Sequence, residues 1–315
     1  MNPDTRQRLM GVSTATLCTA LFKRGLRNQF IQDVRPLNPK LPNMVGEAFT
    51  LRYIPAREDL NAITVFQDRN HPQRVAVEQC PPGCVMVFDS RKDARAASAG
   101  AILVSRLMVR GAAGVVTDGG FRDSPEIAAL GFPAYHNRPS APTNLTLHQA
   151  LDINVPVGCG DVAVWPGDVL VGDKEGVFVI PAHLADEVAD EAVEMTVFED
   201  FVTEMVQKQG RSILGLYPLP AGWESSLGTF VNRNHAASLL LKAIDYKDES
   251  MRMPPKGKLP EASPGQSWSG EFSATVFAEG PDDYNRRDIG ELFNRGSAAK
   301  QDAMPRSPRD GSQDR

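Results

Sequence analysis

The chain has 315 residues, 42% hydrophobic and 23% charged, the make-up of a globular protein long enough for one large domain or two smaller ones. Its formal net charge of −5 argues against a nucleic-acid binder, which would need a basic stripe to replace counterions. An anionic substrate remains possible where an arginine or a metal concentrates positive charge locally.

The start, MNPDTRQRLMGVSTATLCTALFKRG, is polar from the outset and lacks the apolar run of a leader, and nothing later approaches the roughly 18 apolar residues of a membrane span. Four cysteines, Cys18, Cys80, Cys84 and Cys159, are too few and scattered for a disulfide scaffold, so a reducing cytoplasm is the expected setting. No second Cys or His pair follows Cys80-Pro-Pro-Gly-Cys84 at zinc spacing, and a turn into a buried strand is the simpler reading.

Leu9, Val12, Leu17, Ala20 and Leu21 recur at helical spacing and predict one or two short helices over residues 5–25. Val45 to Tyr53 alternates as a strand does. The polar stretch from Pro55 to Pro82 is expected to hold a helix. Gly83-Cys-Val-Met-Val-Phe-Asp89 is a short apolar run ending in an acid, the pattern of a strand buried on both faces. A helix over Ala97–Arg110, a second such strand at Val115–Asp118, a short helix near Ile127–Leu130 and a strand at Phe132–His136 repeat the theme. Strand, helix and strand in this order predict an α/β fold with parallel strands.

After His148 the texture becomes β. Short strands are expected at Asn154–Gly158, Val162–Trp165, Asp168–Gly172 and Gly176–Ile180, with hairpin-type turns at Pro166-Gly-Asp168 and Asp173-Lys-Glu-Gly176. A long acidic helix follows from about Ala182 to Gln209, stopped by Gly210. Beyond Pro218 the regularity is lost, and a segment this poor in clustered apolar residues cannot offset its ordering entropy. Residues 1–218 are therefore expected to form the folded domain and 219–315 a mostly disordered extension, removable after about residue 222 without loss of fold.

The most informative stretch is Gly111-Ala-Ala-Gly-Val-Val-Thr-Asp-Gly-Gly-Phe-Arg-Asp123. A buried strand runs into Asp118, and two glycines are expected to turn the chain with positive φ. Arg122 and Asp123 then stand at the C-terminal edge of a parallel sheet, where open α/β sheets bind ligands. Arginine offers a planar fork to a carboxylate or enolate, and aspartate is a hard oxygen ligand for Mg²⁺ or Mn²⁺. Spacing alone leaves this open, because a surface Arg-Asp pair after a glycine turn would read the same way.

Asp118-Gly-Gly-Phe-Arg-Asp123 resembles the DG-x-x-RD signature of the RraA-like family, preceded by RGAAGVV. Gly100 in SAGAIL and PGDVLVGDKEGVFVIP at 166–181 agree in order and spacing, so that the resemblance covers residues ~10–218. It implies an αββα sandwich with a parallel or mixed sheet, assembled as a homo-oligomer, a trimer or hexamer, with active sites between subunits. It also implies a class II aldolase that cleaves 4-hydroxy-4-methyl-2-oxoglutarate or 4-carboxy-4-hydroxy-2-oxoadipate, or decarboxylates oxaloacetate, with Mg²⁺ or Mn²⁺ as cofactor. The partners would then be a small 2-oxo acid and further copies of the chain, with no nucleic acid and no membrane.

By the same resemblance Asp123 would hold the metal, Arg122 the enolate oxygen of pyruvate, and the backbone of Gly100, Ala101, Ile102 and Leu103 the substrate carboxylate. Glu199, with Glu194 second, would reach the metal from a neighbouring subunit, although both also read as a solvated helix face. A cation suits a chain whose folded part has only Lys23, Lys40, Lys92, Lys174 and Lys208, none placed as a Schiff-base nucleophile. The chain departs from the family at Ala101, where its aldolases carry an acid, and Asp89, Asp93 or Arg95 are candidate replacements. His136, Arg138 and Ser140 share a loop that could line the same mouth. Two other readings stay open: a protein-binding regulator of an endoribonuclease, as in the family's namesake, and an aldolase for a sugar-derived keto acid. No G-x-S-x-G elbow or G-x-G-x-x-G fingerprint is present, which speaks against hydrolase and nicotinamide chemistry.

Overall fold

The computed structural model describes residues 1–217, so the extension expected over 219–315 lies outside the described residues. The chain divides into two compact units, Met1–Asp200 and Phe201–Arg315. Of the second, only the final turns of a long helix and a short turn through Tyr217 are described.

Helices α1 (Pro3–Leu9) and α2 (Thr14–Lys23) open the first unit. Both start on side-chain caps: Asp4 N donates to Asn2 Oδ1, and Thr16 N donates to Ser13 Oγ at 3.0 Å. Two short strands follow, β1 (Phe30–Ile31) and β2 (Arg35–Pro36), then the long β3 (Met44–Pro55). The repeating part consists of α3 (Pro72–Gln79), β4 (Cys84–Asp89), β5 (Ala97–Ala99), α4 (Ala101–Val109), β6 (Gly114–Thr117), β7 (Gly120–Phe121), α5 (Ser124–Ala129), β8 (Ala134–His136) and β9 (Arg138–Pro139). Then come β10 (His148–Ile153), β11 (Val157–Cys159), β12 (Val162–Val164), β13 (Val169–Gly172), β14 (Val177–Ile180) and α6 (Ala185–Gln209). None of the described helices is long and apolar enough to cross a membrane.

The main sheet runs β1-β14-β13-β3-β4-β6-β8-β2, with β3, β4, β6 and β8 parallel and the others antiparallel. β3 is long enough for two partners on one edge: β13 pairs with residues 44–47 and β10 with residues 51–55. This is the mixed αββα-type arrangement the resemblance implies. Where the sequence predicts a helix from Ala97, the chain first forms β5, because Ala97–Ala99 pairs with β7 in a small parallel sheet ordered β5-β7-β9. The turn at Asp173–Gly176 joins the hairpin β13–β14, but Pro166–Asp168 does not close one, since β12 pairs back with β11.

Three apolar clusters hold these layers together. Tyr53, Phe88, Val104, Leu107 and Ile127 fill the space between the parallel strands and α3, α4 and α5. Leu9, Leu17, Leu21, Phe178 and Val188 seal α1, α2 and α6 onto β13 and β14. Val85, Val87, Val116, Val162 and Val177 bind the hairpin β11–β12 to the other sheet face. Full burial of each large apolar side chain contributes about 1.5–3 kcal/mol before entropy is charged. Lys23 at the end of α2 and Arg24, which caps it, pair with Glu187 and Glu191 of α6 on the outer side of this packing.

Candidate active site

The small parallel sheet positions the site. β5 and β7 run side by side, with Ala97 opposite Gly120 and Ala99 opposite Phe121. Arg122 N then donates to Ala99 O at 3.1 Å. Gly100 and Arg122 therefore leave neighbouring strands together, and Gly100 opens α4 while Asp123 opens α5.

Gly100 supplies no side-chain cap to α4. Asp123 does so from the next strand, its Oδ2 accepting from Ala101 N at 3.2 Å. A carboxylate there also lies at the positive end of the helix dipole. Its Oδ1 lies 3.6 Å from Arg122 Nε, and both side chains remain close to half exposed. Asp123 adopts φ 56° and ψ 38°, a left-handed conformation that costs a non-glycine residue free energy and is concentrated at ligand sites.

The sequence predicts positive φ at the Gly119-Gly120 pair, but the left-handed residue is Asp123 instead. The glycines serve close approach. A Cβ on Gly119 would lie 2.6 Å from Ser90 Cβ, and one on Gly120 2.6 Å from Ser140 Cβ.

A cleft of about 270 Å³ opens beside this pair. Gly100, Ile102, Leu103, Arg122 and Asp123 line it. Ala101 takes part through its backbone N–H. The rest of the lining was not read from the sequence: Ala97 and Ala99 of β5, Phe66, Gln73 and Arg74 from α3 and the turn before it, and Thr143 and Asn144 from the turn before β10. Gln73 Nε2 donates to Ser98 O at 2.6 Å and to the Tyr53 hydroxyl at 3.0 Å, which ties α3 to the middle of β5.

Other sequence candidates stand apart from the cleft. Glu199 accepts from Thr16 Oγ1 at 2.8 Å and does not line the cleft within one chain. His136 is buried, stacks on Phe121 at 5.8 Å and has an unpartnered Nδ1, and burial pushes its pKa down to about 4. Arg138 Nε donates to Ala94 O, and Asp93 pairs with Arg95. Asp118 ends β6 but is wholly buried. Its carboxylate accepts from Ser90 N, Lys92 N and Gly160 N, and burial pushes its pKa up to about 6 despite those donors. Asp89 accepts from Arg91 N and Gly158 N in the same way. These two acids hold loops in place, and neither lines the cleft.

Comparison with known proteins places the chain in a family. A protein of Halalkalibacterium halodurans named "Putative 4-hydroxy-4-methyl-2-oxoglutarate aldolase" is 32% identical over 177 residues, 56% of this chain and 77% of that protein. Among solved structures, Streptomyces coelicolor RraAS2, described as an unusual member of the RNase ES inhibitor RraA protein family, aligns with a TM-score of 0.57. It is 28% identical, and the match covers 64% of this chain and 97% of that one. An uncharacterized protein from Pseudomonas syringae pv. tomato shares the fold at a TM-score of 0.57 and 24% identity, over 67% of this chain and 96% of that one. The family model described as RraA-like, Aldolase/RraA, matches residues 14–179, and the chain belongs to that family.

Proposed function

We propose that the chain is a divalent-metal-dependent carbon–carbon lyase that forms the pyruvate enolate, by decarboxylation of oxaloacetate or retro-aldol cleavage of a 4-hydroxy-2-oxo acid. The observation that carries this reading is the joining of Arg122, Asp123 and the start of α4 at one cleft lip.

Asp123 is the only carboxylate among the described lining residues, and no described group of three or more His, Cys, Asp or Glu is placed as a metal cage. One carboxylate suits Mg²⁺, which keeps several waters and commonly takes its remaining ligands from substrate oxygens. Asp123 would hold the cation through the oxygen not engaged by Ala101. When bound, such an ion polarises the 2-oxo and carboxylate oxygens of the substrate. The first-turn amides of α4 would orient the substrate carboxylate, and the Arg122 guanidinium would take up the charge growing on the enolate oxygen. In this reading the assembly is a homo-oligomer, and Glu199 of a neighbouring copy is the candidate for a further acid.

The two reactions differ in what they ask of the protein. Retro-aldol cleavage needs a base for the C4 hydroxyl proton, whereas decarboxylation of oxaloacetate needs none. The described lining offers no histidine and no second carboxylate, in keeping with Ala101 standing where the family's aldolases carry an acid. Oxaloacetate decarboxylation is therefore expected to exceed retro-aldol cleavage. The test is pyruvate release from oxaloacetate and from 4-hydroxy-4-methyl-2-oxoglutarate, with Mg²⁺, with Mn²⁺ and with EDTA, for wild type and Asp123→Ala. Turnover that needs the cation and falls at least 100-fold in the variant is the expected result. Absence of turnover with either metal would sink the lyase reading. The lack of a base also favours a second reading, in which this surface binds a protein partner, as the name of RraAS2 states for its family.

A further inference from the structure

β5 carries the lip of the cleft, yet strands hold little of its backbone. It has three residues and lies at the edge of the small sheet, with β7 as its neighbour among the described strands. Carbonyls alternate in direction along a strand. Ala99 O faces β7 and accepts from Arg122 N, so Ser98 O points to the edge that no described strand covers.

Side chains take the place of a strand there. The Tyr53 hydroxyl donates to Ser98 O at 2.8 Å, and Gln73 Nε2 donates to Ser98 O at 2.6 Å and to the Tyr53 oxygen at 3.0 Å. The Ser98 hydroxyl is tied as well, 2.7 Å from Ser90 Oγ and 2.6 Å from Thr117 Oγ1. Thr117 Oγ1 in turn accepts from Gly119 N at 2.9 Å. The side chains of Tyr53, Gln73, Ser90, Ser98 and Thr117 are all buried. Apolar groups of the same shape would pack here with little loss of stability, because buried hydrogen bonds mostly recover what desolvation costs. What a satisfied network adds is direction: it holds a backbone at one angle, where apolar contacts tolerate slippage.

The network fixes two strands at once. Ser98 stands two residues before Gly100, and Gly119 leads into β7 and so to Arg122 and Asp123. The first turn of α4 and the Arg122–Asp123 pair thus take their relative position from the same set of hydrogen bonds. Gln73 is the donor to Ser98 that also lines the cleft, and it does so from α3.

We propose that Gln73 is a positioning residue, whose amide holds the Gly100 end of β5 at the angle that aligns the α4 amides with Arg122 and Asp123. Only its consequence for turnover rests on the lyase reading.

Hydrogen exchange followed by mass spectrometry tests the positioning without needing a reaction. Gln73→Met keeps the length of the side chain and removes its donor. Tyr53→Phe removes the second donor to the same carbonyl, and it decides the matter should Gln73→Met not fold. Exchange over residues 99–123 is expected to quicken at least tenfold in Gln73→Met and at least threefold in Tyr53→Phe, with residues 169–180 unchanged. In Gln73→Met, kcat for pyruvate release from oxaloacetate with Mg²⁺ should fall at least tenfold. Wild-type exchange over 99–123 in the variants that fold, an equal rise over 99–123 and 169–180, or full kcat beside a loosened 99–123 would overturn the proposal. Local loosening in a protein whose wild type releases no pyruvate would uphold the role of Gln73 and remove the lyase reading alone.

Discussion

Gly100 has extended backbone, so any residue could adopt its dihedral angles, and its lack of a side chain is a matter of space. A Cβ there would lie 2.8 Å from both Arg122 Cγ and Asp123 Oδ2. In Gly100→Ala the two side chains must therefore shift, and Asp123 loses its hold on Ala101 N. Pyruvate release is expected to fall at least tenfold, because a misplacement near 1 Å at reacting groups costs about 100-fold, while the melting temperature drops by only a few degrees. A variant with wild-type kcat/KM would show that the position of Arg122 and Asp123 over Gly100 is unimportant to catalysis. Residue identity in this motif was legible because DGGFRD is contiguous. The reason for each glycine was not, since close approach depends on Ser90 and Ser140, which come from other loops.

The element scale shows what the buried acids do. Asp118 follows the last residue of β6 and gathers three backbone N–H groups from the loops after β4 and β11, so it fixes the end of β6 from which the chain leads into β7. Asp118→Ala strands two buried donors, Ser90 N and Gly160 N, at about 1–3 kcal/mol each, and frees the part-buried Lys92 N, so a loss of at least ~2 kcal/mol is expected. Urea unfolding of the variant against wild type measures this, and a loss below ~1 kcal/mol would contradict the assigned role. From the sequence, an acid at the end of a buried strand looks like a group delivered to a site. Burial of Asp118 under the β11–β12 hairpin, which no local pattern reveals, makes it a loop anchor instead. β5 and β7 were equally hard to read, because strands of three and two residues are too short to display a period.

Across the whole molecule, buried titratable groups set opposing pH dependences. His136 has its pKa lowered to about 4 by burial, and burial lowers His71 and His148 as well. Between about pH 6.5 and 4 the unfolded chain therefore binds protons that the native state refuses, and stability falls on acidification. Asp118, raised to about 6, has the opposite sign: the native state keeps its proton at a pH where the unfolded chain has lost it, so acidification from 6 towards 4 stabilises. His136 and Asp118 each amount to about 3 kcal/mol, which leaves His71 and His148 to tip the balance. The urea midpoint is expected to fall between pH 6.5 and 4.5, and to fall more steeply in Asp118→Asn. A flat profile in both proteins would contradict these assignments. By itself, the sequence determined the α/β class, the strands β4, β6 and β8 of the main sheet with the helices between them, the family resemblance and the Arg122–Asp123 pair, because periodicity and a contiguous motif are local properties. Only the tertiary structure brought Gly100 against Asp123 across β5 and β7, carried Arg74 from α3 and Asn144 from a later turn into the same cleft, and assigned Asp89 and Asp118 to loops. Those decisions depend on pairing and packing between residues far apart in the chain, and no short stretch of sequence encodes them.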